Sequence, residues 1–330
     1  GLAGLALGIG LRQREIPVVI FEAGKYPRHR VCGEFISGHG QNFLARLGLS
    51  EKLFLAGARW AETTGFFSAR SQLPVQKLPE PALCLSRFTL DDLLAKEFQN
   101  LGGELKENCR WKNDSGEGIV RASGRRIQAI EKGWRWFGLK IHAENIALAA
   151  DLEMHLTKNG YVGLCRLNEN KVNICGLFRS RTTLPDLAQN WKNWLAGPPN
   201  SFLQERLKKA RFDENSFCSV AGLSLQPGRP ALECSLGDAF RMIPPVTGNG
   251  MSLAFESAEL AIEPLRNYSL EKSSWSETKQ LIAQRCDRAF GRRLFFASWL
   301  QKGLFQPGVK EAFLVLASRG LWPAFFKLTR

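Results

Sequence analysis

The sequence predicts an α/β chain in which a parallel-sheet unit with a glycine-rich start is interleaved with a mainly β block and followed by helices. Three observations carry this. The first 22 residues read as glycine-rich helix, short apolar strand and acid. Residues 134–178 alternate as four strands divided by turn signals. From residue 237 a glycine turn and a Pro-Pro pair lead into a long amphipathic helix.

The chain begins GLAGLALGIGLRQREIPVVIFEAGKYPRHRVCGEF, with glycines at 1, 4, 8 and 10. Residues 2–14 are rich in Leu, Ala and Arg and read as a helix. Gly4 and Gly8 share one face of it, where a strand can approach closely. Pro17-Val-Val-Ile-Phe21 is short and apolar, which suits a buried parallel strand. Glu22 follows it, 18 residues after Gly4. A dinucleotide fingerprint sets glycines between a strand and a helix, then an acid for the ribose at the end of the next strand. Gly1 and Gly4 match its last two glycines, so the fingerprint's first strand and first glycine are expected upstream of Gly1.

Residues 24–38 form a polar loop holding Arg28, Arg30, Cys32 and Gly33. A helix is expected at about 40–54 and a β-hairpin at 58–79. LCLSRFTLDDLLAKEFQNLGGEL reads as strand, helix from about Thr89 capped by Ser86 or Thr89, a stop at Gly102, and a further strand. In the β block, alternation puts Lys140 with His142, Glu153 with His155, and Tyr161 with Gly163 and Cys165 on common faces. Helices are expected at 184–195 and 199–210. In LGDAFRMIPPVTGNGMSLAFESAELAIEPL, Asp238 follows a glycine turn and can hold a sugar-like hydroxyl. Backbone N–H groups at 249–251 open a helix over about 250–266 and can stabilise negative charge.

Composition bounds the rest. The chain has 330 residues, 44% hydrophobic and 23% charged, enough for one large or two smaller domains. No run approaches 18 apolar residues, so no membrane span is expected. Eight cysteines form no C-x-x-C pair and no zinc spacing with histidine, which suits reduced thiols, no metal site and a cytoplasmic setting. Net charge is +14, and over 281–330 nine Lys and Arg face two Asp and Glu among nine Phe and Trp. Basic plus aromatic fits helices packing on the body or peripheral contact with an anionic membrane; nucleic acid is not expected as a partner. The aromatics recur at helical spacing, which ranks packing first.

The combination PRHRVCGEF, LSRFTLDDLL, GYVGL and GDAFRMIPPVTGNGMSLAFESA resembles the FAD-dependent oxidoreductases of the geranylgeranyl reductase and aromatic hydroxylase superfamily, nearly end to end. The resemblance implies a Rossmann-like FAD-binding domain over 1–57, 80–130 and 222–268. It implies a β-sheet substrate domain over 58–79 and 131–221, and a C-terminal helical region over 269–330. It implies that Gly1, Gly4 and Glu22 hold the ADP part of FAD. Arg87 matches the family's arginine after the first substrate-domain hairpin, and Asp238 matches the aspartate on the ribityl chain. Gly248, Asn249, Gly250 and Met251 match the flavin-ring loop. Arg30, Val31 and Cys32 match the segment beside the flavin.

Two departures bear on the reaction. Ser123 in ASGRR stands where many hydroxylases have an acid, which weakens tight NAD(P)H use, though NAD(P)H stays a candidate electron donor. GWRWF at 133–137 is similar to a halogenase Trp-x-Trp-x-Ile-Pro motif but lacks its Ile-Pro. The expected activity is hydride transfer at flavin N5 to an apolar, isoprenoid- or polyketide-like compound. A monooxygenase using O2 and NAD(P)H is the alternative, and a non-catalytic flavin-binding or membrane-associated protein a third reading. His142 and His155 are candidate proton donors. Cys32 is a candidate for protonating substrate or modulating the flavin, a small core thiol being its other reading.

Overall fold

The computed structural model describes residues 1–306 apart from 70, 113–115, 126, 169, 185 and 225–232. Leu2–Arg12 forms α1, nine of whose eleven residues are buried. A helix so apolar needs neighbours on all sides, and its glycines let them close in. A Cβ at Gly8 would lie 2.8 Å from the Phe98 ring and 2.9 Å from Ile20; one at Gly4 would lie 3.3 Å from Ala122. The close strand approach expected at Gly4 and Gly8 is therefore present.

Val19–Phe21 is β1, Phe35–Ile36 β2, His39–Arg46 α2 and Ser50–Leu55 α3. The single helix expected at 40–54 is two, because Gly48 takes a left-handed φ of 75° between them. Arg59–Phe67 (β3) and Gln76–Cys84 (β4) form the expected hairpin. In α4 (Arg87–Asn100) the Ser86 side chain is the cap, accepting from the Thr89 N–H at 3.1 Å. Glu104–Lys106 (β5) pairs parallel with β1, Val19 opposite Glu104.

Val120–Arg121 is β6, followed by Arg135–Glu144 (β7), Leu152–Thr157 (β8), Gly160–Arg166 (β9) and Val172–Ser180 (β10). Leu187–Leu195 is α5, Phe202–Leu207 α6, Arg211–Ala221 β11 and Cys234–Ser235 β12. The eight-stranded sheet has the order β11-β7-β10-β9-β8-β3-β4-β2. All its pairs are antiparallel except β3 with β8. One face packs Phe137, Leu139, Ile141 and Ala143 against Trp191 and Leu195 of α5 and Leu203 and Leu207 of α6.

The α1 side of the molecule contains two short parallel pairs, β1 with β5 and β6 with β12. Among the described residues no strand joins β1 to β6, and residues of both line one groove floored by Leu7, Gly8 and Leu11 of α1.

Gly250–Ser269 forms α7, three residues longer than expected, with Pro264 inside it. Trp275–Leu304 forms α8, opened by a Ser274–Glu277 capping box. Arg293 of α8 clamps Glu256 of α7 through two bonds of 2.6 and 2.9 Å. Phe313, Trp322, Phe325, Phe326 and the basic residues beyond 306 lie outside the described residues.

Candidate functional site

A cleft of about 1760 Å³ separates α1 and the two short parallel pairs from the free face of the large sheet. Pairing registers set three rungs on that face. They run Val220–Gly138–Leu177–Tyr161–Leu156, Cys218–Lys140–Cys175–Gly163–Met154–Phe66 and His142–Asn173–Cys165–Leu152–Thr64. The loop expected beside a flavin lies on these rungs. Val31 fills the space over Gly138, where a Cβ would come within 2.8 Å of its methyl group. The Cys32 carbonyl accepts from Asn173 Nδ2 at 2.9 Å.

Three guanidiniums line the cleft near one another. Arg28, Arg30 and Arg125 line it, and each has a buried Nε with no partner. Arg30 and Arg125 make no ion pair among the described residues. Burial lowers the Arg30 pKa, aided by Arg28 and Arg87; burial also lowers that of Arg125, opposed by Asp238. Gly1 caps α1 without a side-chain bond, so the positive end of that helix opens on the same space. This set of donors has the charge to receive a multiply charged anion.

Glu22 also lines the cleft, with its acceptor sites taken. It accepts from the Gly1 nitrogen at 3.0 Å, Tyr26 Oη at 2.8 Å, Arg28 at 2.5 Å and the Gly24 N–H at 3.2 Å. Burial opposes its ionisation, but Tyr26 and Arg28 beside it hold its carboxyl below its usual range. Arg87 lines the cleft while gripping the fully buried Asp91 through two bonds of 2.7 Å. Asp238 lines the cleft with no hydrogen-bond or ion-pair partner among the described residues. Burial pushes its carboxyl up to about 6 against the pull of Arg125 and Arg87.

The Pro244–Pro245 pair leads through a tight turn to Gly248, whose φ of 67° suits glycine. A Cβ there would also lie 2.2 Å from the Phe35 ring. Gly248, Gly250 and Met251 line the cleft, and α7 begins there without a side-chain cap. Asn249 is different. It is fully buried, and its Oδ1 accepts from Ser37 Oγ at 2.9 Å, so its side chain holds the loop from behind.

The structure does not bring the catalytic candidates together. Cys32 lines the cleft, but burial raises its pKa despite Arg87, leaving a neutral thiol. His142 lies on the cleft side of the sheet beneath the loop, bonded through Nε2 to Glu34 at 2.7 Å. His155 lies on the other side, between Glu153 at 2.8 Å and a stacked Phe67 ring at 4.5 Å. Neither histidine lines the cleft: the alternation that pairs them with neighbours is present, but each is covered. Tyr161 and Cys165 of β9 do line it.

Three residues at the site were missed. Arg125 was hidden in a basic pair of ordinary appearance. Glu34 is fully buried and takes His142, Lys140 at 3.5 Å and the Arg87 N–H at 2.9 Å. His29 lines the cleft, and its Nδ1 lies 3.0 Å from Lys140 Nζ. Since an ammonium only donates, Nδ1 accepts and Nε2 carries the proton. Burial, then Lys140 and His142, push His29 down to about 4, so it is neutral at pH 7. Its only sequence signal is its place between two arginines.

No family model matches the chain. One curated protein, conditioned medium factor receptor 1 of Dictyostelium discoideum, is 26% identical over 125 residues, which are 34% of this chain and 24% of that protein. Solved structures match almost end to end. PqsL of Pseudomonas aeruginosa, a probable FAD-dependent monooxygenase, gives a TM-score of 0.71 at 13% identity over 96% of this chain and 97% of its own. The halogenase PltM gives 0.73 at 15% identity over 98% and 82%. A flavoprotein/dehydrogenase from Cytophaga hutchinsonii gives 0.73 at 13% identity over 95% and 86%. These likenesses do not single out the geranylgeranyl reductase branch. A cleft lined by several arginines, an unpartnered aspartate and a helix N-terminus fits FAD in charge. The chain has the fold of the FAD-dependent oxidoreductases, with a curled mixed sheet and C-terminal helices around one cleft.

Proposed function

We propose that the protein is an FAD-dependent monooxygenase, using NAD(P)H and O2 on an apolar small molecule that carries an oxygen function. The observation that supports this reading most is the apolar end of the cleft. Phe66, Leu177, Val246 and Leu304 line it, and among them the Tyr161 hydroxyl is buried with no partner. A buried hydroxyl without a partner costs about 1–3 kcal/mol, which a ligand oxygen relieves. Burial also raises the Tyr161 pKa well above its ordinary value, so the group stays a protonated donor.

When bound, FAD supplies hydride acceptance and oxygen chemistry. The chain's residues then have separate tasks. Arg30, Arg125 and the start of α1 hold the pyrophosphate, and Asp238 accepts from a ribityl hydroxyl. The N–H groups at the start of α7 hold the ring, and the apolar walls keep water from it. The solved likenesses include a probable monooxygenase and a halogenase, which favours oxygen chemistry over the hydride-transfer reading.

The test is oxygen uptake by protein supplied with excess FAD and NADPH, with and without apolar phenols and ketones. Uptake stimulated by such a compound, with an oxygenated product, is expected, and Tyr161→Phe should raise KM by about tenfold. Product formed equally without O2 favours the second reading, hydride transfer to an isoprenoid- or polyketide-like compound, for which the dehydrogenase likeness speaks. Absence of flavin reduction by any donor defeats both.

A further inference from the structure

Helix α8 carries a stripe of side chains left exposed among the described residues. Its buried side sends Trp275, Ile282, Cys286, Phe290 and Ala297 into the core. Its far side presents Arg285, Arg288, Arg292, Phe295, Trp299 and Lys302, all exposed. At 3.6 residues per turn these six fall within a sector of about 100°. Phe295 is 69% and Trp299 61% exposed. The nearby charges Asp287 and Arg293 are engaged elsewhere, by Arg241 and Glu256. None of the four stripe cations has an ion-pair partner among the described residues.

We propose that this stripe docks the protein on an anionic lipid surface, with α8 lying in the plane of the headgroups. Unpaired cations on one face are drawn to anionic headgroups, and large aromatic rings beside them insert at the boundary with the acyl chains. The stripe runs about 26 Å along the helix, so all four cations reach one flat surface together. Duplex nucleic acid would attract the same cations, but it offers no stacking partner to two rings on the ridge of a helix. Among the described residues no helix is long and apolar enough to cross a membrane, so the contact is peripheral. The flank of the same helix gives this a use. Leu300 and Leu304 of α8 line the apolar end of the cleft, so an apolar molecule leaving the bilayer meets the chamber beside the docked helix.

The experiment is co-sedimentation of the full chain with phosphatidylcholine vesicles, with and without 30% phosphatidylglycerol, in low and high salt. It needs neither FAD nor turnover, so it stands or falls apart from the flavin reading. Binding only to the anionic vesicles, weakened by salt, is expected. Replacing Arg285, Arg288, Arg292 and Lys302 together with Gln should weaken it by about a hundredfold or more. Phe295→Ser with Trp299→Ser should weaken it with the salt dependence retained. All six positions are exposed, and circular dichroism checks that the variants stay folded. A parallel variant neutralises Arg319, Lys327 and Arg330. If that variant loses binding while the stripe variant keeps it, or if phosphatidylcholine alone binds equally, the proposal is overturned. No binding to either vesicle overturns it, as does binding to a DNA duplex in preference to anionic vesicles.

Discussion

Asp238 and His29 face the same cleft and respond to acid in opposite ways. The Asp238 carboxyl sits at about 6 in the folded protein against an ordinary 3.8, so its ionisation costs the free protein stability above pH 6, and that cost vanishes below about 3.8. A ribityl hydroxyl donates to the ionised form, so FAD affinity should fall as pH drops through 6. Asp238→Asn should weaken FAD by about tenfold to a hundredfold at pH 7.5 and flatten that profile; fluorescence titration of FAD at several pH values checks both. His29 sits at about 4 against an ordinary 6.5, so its neutral form contributes stability above pH 6.5 that is lost as pH falls towards 4. The chain has four histidines, which makes an NMR titration readable. A neutral Nε2–H tautomer of His29 at pH 7, and a midpoint moved up in Lys140→Met, are expected. A midpoint near 6.5 in the wild type would contradict the Lys140 contact. Asp238 was legible because a glycine turn marks it. His29 was not, because its character comes first from burial in the folded chain and then from Lys140, 111 residues away in the sequence.

At the scale of elements, what was legible followed from periodicity, and what was not followed from contacts. The four strands of the β block and the helix after Gly248 were readable because alternation and capping act within a few residues. The covering of His142 was not, since it depends on residues 29–34 folding over β7. The pairing of α7 with α8 through Glu256 and Arg293 was equally hidden, both residues reading as ordinary surface charges. Arg293→Met should destabilise the protein by about 3 kcal/mol by leaving Glu256 without its partner, and Arg293→Met with Glu256→Met should recover much of the loss in chemical denaturation. The loop before α7 gives a second check. Gly248→Ala combines a strained φ with a Cβ 2.2 Å from the Phe35 ring, so a lower Tm is expected, partly restored by Phe35→Leu.

Across the whole molecule, the free face of the large sheet covers a cleft lined on its other side by α1, α7 and the two short parallel pairs. The interleaved order of the chain, α1 side and large sheet by turns, was visible because the glycine-rich segments flank the β block. The layering was not: which face of the sheet meets the cleft is settled by α5 and α6 covering the other one. The seat of Val31 over Gly138 sets how closely the 29–34 loop and the large sheet can approach. A Cβ at 138 would come within 2.8 Å of the Val31 methyl group, so the spacing between the two layers depends there on a side chain being no larger than a hydrogen atom.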